Sequence, residues 1–418
     1  MNAHDFSWRN GKPGALDPSF ADHGSCLLDF EGYAQSMIVS SAGGWVIGLR
    51  PDKHFALVRL GHTGQVVPDF GDKGFVFDSF SDDPYDRSAL ENIVELPDGT
   101  ILVLGSVYED DSRQYSPAAA RYDARGQLDR GFGDGGKIVF WQFDGDGGGG
   151  ADCSQATHAE RAVSRVEPLL HAKGEVIFHF YGFDGGASYL VSLDDKGQLN
   201  SHFGGKGFVR LIYGQRPLRL SALLRQHDDK VVFAGYGEGF AAVIGRMEGN
   251  GVLDKAFADQ GFYALRDSEV RVDSLFARSD RTLFAAGTPP QEQGRYLVLL
   301  KLDAQGKPDS TFNAGKALRV DVPGLEPYPH ALAIDSEGRW CLAGGCFLAE
   351  EPNTRYSLLI RFLYTGALDS AYGNGDGVVV GPDAGEFLAM QLEHDDRAVV
   401  VGHRGIFPFF PVIERHLA

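Results

Sequence analysis

One short pattern, G-x-L-D-x-x-F-x-x-x-G, recurs seven times in 418 residues and commits the chain to a repeat architecture. It first reads Gly14, Leu16, Asp17, Phe20 and Gly24, then Gly64, Val66, Val67, Phe70 and Gly74. The third copy is Gly126, Leu128, Asp129, Phe132 and Gly136, and the fourth is Gly197, Leu199, Asn200, Phe203 and Gly207. The fifth is Gly251, Leu253, Asp254, Phe257 and Gly261. Two looser copies follow: Gly306, Pro308, Asp309 and Phe312 with Gly315 one residue early, then Gly366, Leu368, Asp369 and Tyr372 with Gly377 one late. Successive copies lie 50, 62, 71, 54, 55 and 60 residues apart, so the repeat occupies nearly the whole chain.

Each interval has an inner rhythm. A short β-type run follows the closing glycine (75–80, 208–213), and a second apolar run ends in a polar turn such as Pro97-Asp98-Gly99-Thr100. A third run finishes at glycine (101–105, 231–235, 283–287, 398–402), and a fourth (118–122, 240–247, 296–302) leads into the next motif. Short strands and tight turns at this period predict an all-β fold, a seven-bladed β-propeller with four antiparallel strands per blade. The expected layout is one domain over 1–418, with a tail at 1–13 and blades near 24–60, 74–122, 136–193, 207–247, 261–302, 315–363 and 377–417. In that phasing every blade is contiguous and no strand is exchanged. The first motif, 14–24, is then expected to pack on the run 411–417, the alternative being an outer strand from 6–8.

The motif residues have structural work. Glycine supplies the positive φ of a tight turn, the aspartate accepts from backbone N–H groups just downstream, and the aromatic plugs the space between blades. Seven such positions are geometry and not a catalytic ring. In these residues the chain resembles the bacterial delta-60 repeat family, whose units carry G-x-L-D-x-x-F-G-x-x-G at this period. All seven copies fit, with departures at Val67, Asn200, Pro308 and the last two closing glycines. The resemblance implies a propeller related in architecture to NHL-type proteins. It implies no reaction, because the family as such has none assigned.

Charge narrows the partners. The net charge of −18, without a basic stripe, argues against nucleic acid and against an anionic membrane surface. No apolar run is long enough to span a bilayer, and residues 1–18 carry no secretory signal. The expected location is therefore the cytoplasm, or outside the cell by a leaderless route, and a monomer is expected. Cys26, Cys153, Cys341 and Cys346 are too scattered for a disulfide framework. Cys341 and Cys346, an odd number of residues apart in one strand, face opposite ways.

Function is expected in the irregular loops at one end of the blades, because idiosyncratic loops on a rigid scaffold carry sites. These loops are acidic and bear tyrosines: Asp82, Asp83, Tyr85 and Asp86; Tyr108, Glu109, Asp110, Asp111 and Tyr115; Glu326 and Tyr328. Carboxylates beside flat aromatics suit the hydroxyls and faces of a glycan or the Lys and Arg side chains of a protein. The leading expectation is thus a non-enzymatic propeller that binds a protein or glycan. One alternative is a hydrolase or lyase at the mouth of a central channel, with His179 and His158 as catalytic candidates. Another is a leaderless effector or adhesin. No cofactor is expected; Asp144, Asp146 and Asp152 offer an incomplete set of oxygen ligands for calcium, lacking the later positions of an EF-hand loop. The apolar segment 406–411 is expected to tuck in as a plug, exposure as a partner patch being the alternative.

Overall fold

Between the motifs, the β-branched and aromatic runs form antiparallel strands, and the short run after each motif pairs back onto the strand before it. The computed structural model describes residues 11–109, 114–140, 166–171, 174–181, 187–237, 240–265, 270–289 and 296–418. Phe75–Asp78 pairs with Phe55–Leu60, and Lys137–Val139 pairs with Gln114–Tyr122. Phe208–Arg210 pairs with Ser188–Leu193, Phe262–Ala264 with Phe240–Met247, and Leu318–Val320 with Leu297–Leu302. Each sheet therefore straddles a motif. The sequence phasing, which opened a new blade with that run, is corrected here. The cause is local: Asp129 N–H donates to Arg121 O at 2.8 Å and Arg121 N–H to Gly136 O at 3.1 Å, so the motif is the loop of a hairpin.

The chain divides into two compact units, residues 1–37, 61–65 and 267–418, and residues 38–60 and 66–266. The first unit holds the meander Arg271–Ala277, Leu283–Thr288, Leu297–Leu302, Leu318–Val320 and a seven-stranded sheet. That sheet runs in the order Ser25–Leu27, Phe410–His416, Ala398–Arg404, Val378–Leu392, Glu351–Phe362, Trp340–Leu348, Leu325–Ile334. Its long strand Val378–Leu392 pairs with Glu351–Phe362 through its first half and with Ala398–Arg404 through its second, and so serves two meanders. The edge strand comes from the other end of the chain, with Ser25 opposite Glu414 and Leu27 opposite Val412. A strand is thus exchanged, contrary to the expectation of contiguous blades. The first motif does lie on 411–417 as expected: Gly14 N–H donates to Leu417 O and Asp17 N–H to Arg415 O, both at 2.8 Å. Phe6 and Trp8 lie outside the described residues.

The second unit contains the meander from Arg87–Glu95 to Lys137–Val139, that from Leu169–Leu170 to Phe208–Arg210, and that from Arg219–Arg225 to Phe262–Ala264. Trp45–Arg50, Phe55–Leu60 and Phe75–Asp78 make a further sheet, entered through Tyr33–Val39, a strand whose residues from Ile38 onward belong to this unit. Among the described residues there is no α-helix, and no helix long and apolar enough to cross a membrane. Cys26, Cys341 and Cys346 are unbridged.

The motif aromatics are the core. Phe20, Phe70, Phe132, Phe203, Phe257, Phe312 and Tyr372 are all buried. The first glycine of a motif lies against the aromatic of the motif before it. At Gly64, φ is +80° and a Cβ would fall 2.8 Å from Phe20; at Gly197, φ is +81° and it would fall 2.6 Å from Phe132. Any side chain there would be strained by the backbone and driven into the ring.

Candidate functional site

Sequence reading identified the motif aspartates as turn formers but missed their second partner. In four copies the carboxylate accepts downstream N–H groups with one oxygen and an arginine with the other, and in three of them that arginine stands eight residues upstream. Arg121 Nε lies 2.7 Å from Asp129, Arg246 Nε 2.8 Å from Asp254, and Arg361 Nε 2.7 Å from Asp369. Across the exchanged strand, Arg415 Nε lies 2.8 Å from Asp17. Lys301 plays the same part for Asp309 at 2.9 Å. Each of the four guanidinium groups also lies over its motif aromatic: Arg121 on Phe132, Arg246 on Phe257, Arg361 on Tyr372 and Arg415 on Phe20. Where the aspartate is absent the ion pair is lost: Asn200 has Ser192 as its neighbour, and beside Val67 the retained Arg59 keeps a backbone contact, to Ala124 O at 3.0 Å, of the kind Arg415 makes to His62 O. Position-by-position repetition marks these as structural groups.

The loop 81–86 of the second unit enters a sheet at the end where Tyr108 and the Tyr115 backbone also stand. Arg87, where the loop 81–86 enters its strand, lies opposite Tyr108, and Tyr108 in turn lies opposite Tyr115. The loop is ordered by its own side chains: Ser81 Oγ donates to Asp86 at 2.7 Å and Tyr85 N–H to Asp83 at 2.9 Å. Tyr85 is 74% exposed. Asp82 is fully exposed, 3.7 Å from Lys137 Nζ, which is bonded at 2.8 Å to Asp78. Tyr108 and Glu109 are half-buried at the strand end. Asp110, Asp111, the Tyr115 side chain, Asp144, Asp146, Asp152 and His158 lie outside the described residues. Among the described residues no group of three His, Cys, Asp or Glu side chains could hold a metal ion. Within the same unit, Glu91 is the extra residue of a β-bulge between Leu90 and Asn92. Burial pushes its carboxyl up to about 7, against the pull of Arg50 and the Ser106 hydroxyl.

Three sequence expectations change. Glu326 and Tyr328 belong to the strand Leu325–Ile334 of the first unit, not to a loop, and Tyr328 is half-buried, edge-on to Phe347 at 5.2 Å. Their prolines stand in an edge strand, where the missing N–H costs little. His179, in the second unit, is buried with Nε2 2.8 Å from Ser188 Oγ, and burial lowers its pKa to about 3. It is a neutral core histidine tied to a neighbouring strand. The segment 406–411 is no plug at its apex: it spans the turn between adjacent strands, which leaves Ile406 and Phe407 68% and 82% exposed, while Phe409 packs on Tyr33 and His403.

A polar cluster that sequence reading did not assemble lies in the first unit. Glu386, from Val378–Leu392, is buried, and its Oε1 accepts a short hydrogen bond from His330 Nε2. Its Oε2 lies 3.1 Å from Arg355 Nη1 and 3.9 Å from His403 Nε2. His330 is itself a bulge residue, between Pro329 and Ala331, and a bulge re-aims a side chain. Glycine makes these approaches possible: a Cβ on Gly402 would lie 1.9 Å from Glu386 O, and one on Gly344 1.9 Å from Tyr328 O. Gly105, Gly235 and Gly287 meet the first strand of their own sheets in the same way. The residues whose carbonyls they admit are Ala89, Arg219, Arg271, Tyr328 and Glu386, so the backbone device repeats and its side chain does not. Of these residues, His403 directly follows a strand-ending glycine, Gly402.

A family model described as a β-propeller domain of unknown function (DUF5122) matches residues 96–132, the stretch from the first turn of one meander to its motif aromatic. No curated protein sequence matches. Among solved structures, a protein of unknown function from Dyadobacter fermentans is similar at 11% identity and a TM-score of 0.48, covering 96% of this chain and 100% of that one. The extracellular domains 1–2 of Drosophila Semaphorin 1a are similar at 10% identity and 0.48, covering 94% and 87%. The polysaccharide lyase Uly1 is similar at 10% identity and 0.45, covering 100% and 94%.

Proposed function

We propose that the chain is a seven-bladed propeller that works as a binding scaffold, taking the Lys and Arg side chains of a protein, or a glycan, on the acidic loop end of the second unit. Seven motif copies support seven blades. The observation that carries the binding reading is the loop 81–86: Tyr85 stands 74% exposed between solvent-facing carboxylates, on a backbone already fixed by Ser81, Asp83 and Asp86. A preorganised loop loses little entropy when a ligand docks, and an exposed aromatic supplies contact area. The test is affinity capture with the wild type and with a variant carrying Asp82→Ala, Asp83→Ala and Tyr85→Ala. A saturable partner lost in the variant supports the reading; an identical set of partners removes this face.

A second reading, a hydrolase or lyase, is favoured by one observation. Glu386, His330 and His403 bring acid–base groups together from two meanders of the first unit. Turnover of a glycoside or ester that disappears in Glu386→Gln would support it.

A further inference from the structure

The tripeptide Gly-Asn-Gly occurs twice in the chain, at 249–251 and 373–375, and the fold holds its two copies differently. A further Asn-Gly pair begins at Asn10, outside the described residues. Asparagine in this setting is chemically weak. The backbone nitrogen of the next residue can attack the side-chain carbonyl carbon, and a glycine there has no Cβ to obstruct the approach or restrict the rotation it needs. The rate then depends on how firmly the turn keeps the two groups apart.

At Asn250 the turn is firm. Its Oδ1 accepts from Val252 N–H at 3.1 Å, and the nitrogen that would attack, on Gly251, donates to Glu248 O at 2.9 Å. The Asn250 carbonyl takes Gly204 N–H at 2.8 Å. Gly251 is also pressed against the preceding motif, where a Cβ would fall 2.8 Å from Val209 and 3.2 Å from Phe203.

Asn374 stands in the seventh motif, whose closing glycine comes one residue late. In the first five copies that glycine's N–H donates to the carbonyl of the aromatic at 2.6–2.8 Å. Four of those copies end in a tight pair: Asp22 with Ser25, Asp72 with Phe75, Asp134 with Lys137, and Asp259 with Phe262. The extra residue spreads the seventh turn. Gly377 N–H reaches Tyr372 O at 3.2 Å, and Gly375 N–H reaches the same oxygen at 3.3 Å. Asn374, Gly375 and Asp376 are exposed, and among the described residues no hydrogen bond holds the Asn374 side chain. A Cβ on Gly375 would meet nothing beyond its chain neighbours closer than Ser370 O at 3.8 Å, so the backbone has room to turn there.

We propose that Asn374 is a site of spontaneous deamidation. The Gly375 nitrogen gives its proton to hydroxide and bonds to the Asn374 side-chain carbonyl carbon. The bond to the amide nitrogen breaks, and that nitrogen takes a proton from water and leaves as ammonia. Water then opens the cyclic imide at either carbonyl, leaving aspartate or, with the backbone rerouted through the side chain, isoaspartate. Both products add a negative charge beside Asp376. Isoaspartate also lengthens the backbone of a turn that Gly373 N–H ties to Pro13 O at 3.0 Å, so age marks the chain where its N-terminal segment meets its last motif. The proposal requires neither the acidic loop of the second unit nor the Glu386 cluster.

The test incubates the folded full chain in mildly alkaline buffer and follows both tripeptides by peptide mapping with mass spectrometry. Conversion reads as a gain of about 1 Da, with the isoaspartyl peptide eluting apart from the aspartyl one. Because the two tripeptides are identical, each is the other's control. In the folded chain Asn374 is expected to convert on the order of tenfold faster than Asn250. In the chain unfolded with guanidinium the two rates are expected to converge. No conversion at Asn374, or equal rates in the folded chain, would overturn the proposal. So would the same inequality persisting in the unfolded chain, which would assign the difference to flanking sequence and not to the turn.

Discussion

The two ends of one strand pair, Ala398–Arg404 with Phe410–His416, carry the same kinds of side chain and use them differently. His416, opposite Ala398, is fully buried; its Nδ1 is 2.9 Å from Gly14 O and its Nε2 3.1 Å from Glu414, whose other oxygen takes Arg404 Nη2 at 2.5 Å. Both ring nitrogens have partners, and the histidine is consumed in holding the exchanged N-terminal segment. At the other end, beside the Pro411 register position, His403 meets a similar Glu–Arg pair with one nitrogen too distant and the other unmet among the described residues. A histidine whose every atom is satisfied belongs to the fold. One that is buried and unsatisfied marks where the fold stops accounting for its residues.

The largest expected effect breaks the closed end. His416→Phe leaves the buried Glu414 with Arg404 but without its histidine donor, and Gly14 O without its side-chain donor, and should lower unfolding stability by about 2–4 kcal/mol in urea titration. A loss below about 1 kcal/mol would mean that the exchanged segment is held by its backbone pairing alone. Gly197→Ala, in the second unit, sharpens the comparison by setting the scale of a purely steric fault. Positive φ and contacts of 2.2 Å to Ile138 and 2.6 Å to Phe132 should together cost about 2–4 kcal/mol, read the same way.

Acid separates the ends by sign. Burial alone would raise the Asp17 carboxyl, but hydrogen bonds from Ser19 and Arg397 and the charge of Arg415 outweigh it and hold the group down to about 2. Its folded value is depressed, so its stabilisation is complete above the unfolded value near 4 and disappears as pH falls from there through about 2. The amount is about 2 kcal/mol, and Asp17→Asn should flatten the urea midpoint against pH across that window by this share. The wild-type slope persisting unchanged in the variant would assign the acid sensitivity to other carboxylates.

What the sequence made legible was whatever the repeat enforces. The period, the Asp turn and the buried aromatic recur copy after copy, so comparison within one chain reveals them. The arginine eight residues before the aspartate was equally legible, at Arg121, Arg246, Arg361 and, one copy altered, Lys301, because its spacing to the turn repeats. Strand phase was not legible, because a run of three or four residues such as Lys137–Val139 pairs equally well by pattern with either flanking strand; only the hairpin geometry of the motif decides. The Glu386 cluster escaped for the opposite reason. It occupies repeated backbone positions with unrepeated side chains, Tyr328 and Glu386 standing where other copies have Ala89, Arg219 and Arg271, so no internal pattern announces it.

The smallest effect is the most diagnostic. His403→Leu replaces a buried ring with an unmet nitrogen by an apolar side chain of smaller size among Tyr33, Phe409 and Glu386. Losing the ring contacts costs stability, and removing an unsatisfied donor or acceptor returns it, so the net change should lie within about 1 kcal/mol of wild type. Glu386 keeps both His330 and Arg355 in the variant and loses no hydrogen bond, whereas His416→Phe takes a donor from both Glu414 and Gly14 O. Equal losses from the two substitutions in parallel urea titrations would show that His403 is as fully employed by the fold as His416. The distinction between the closed and the open end would then disappear.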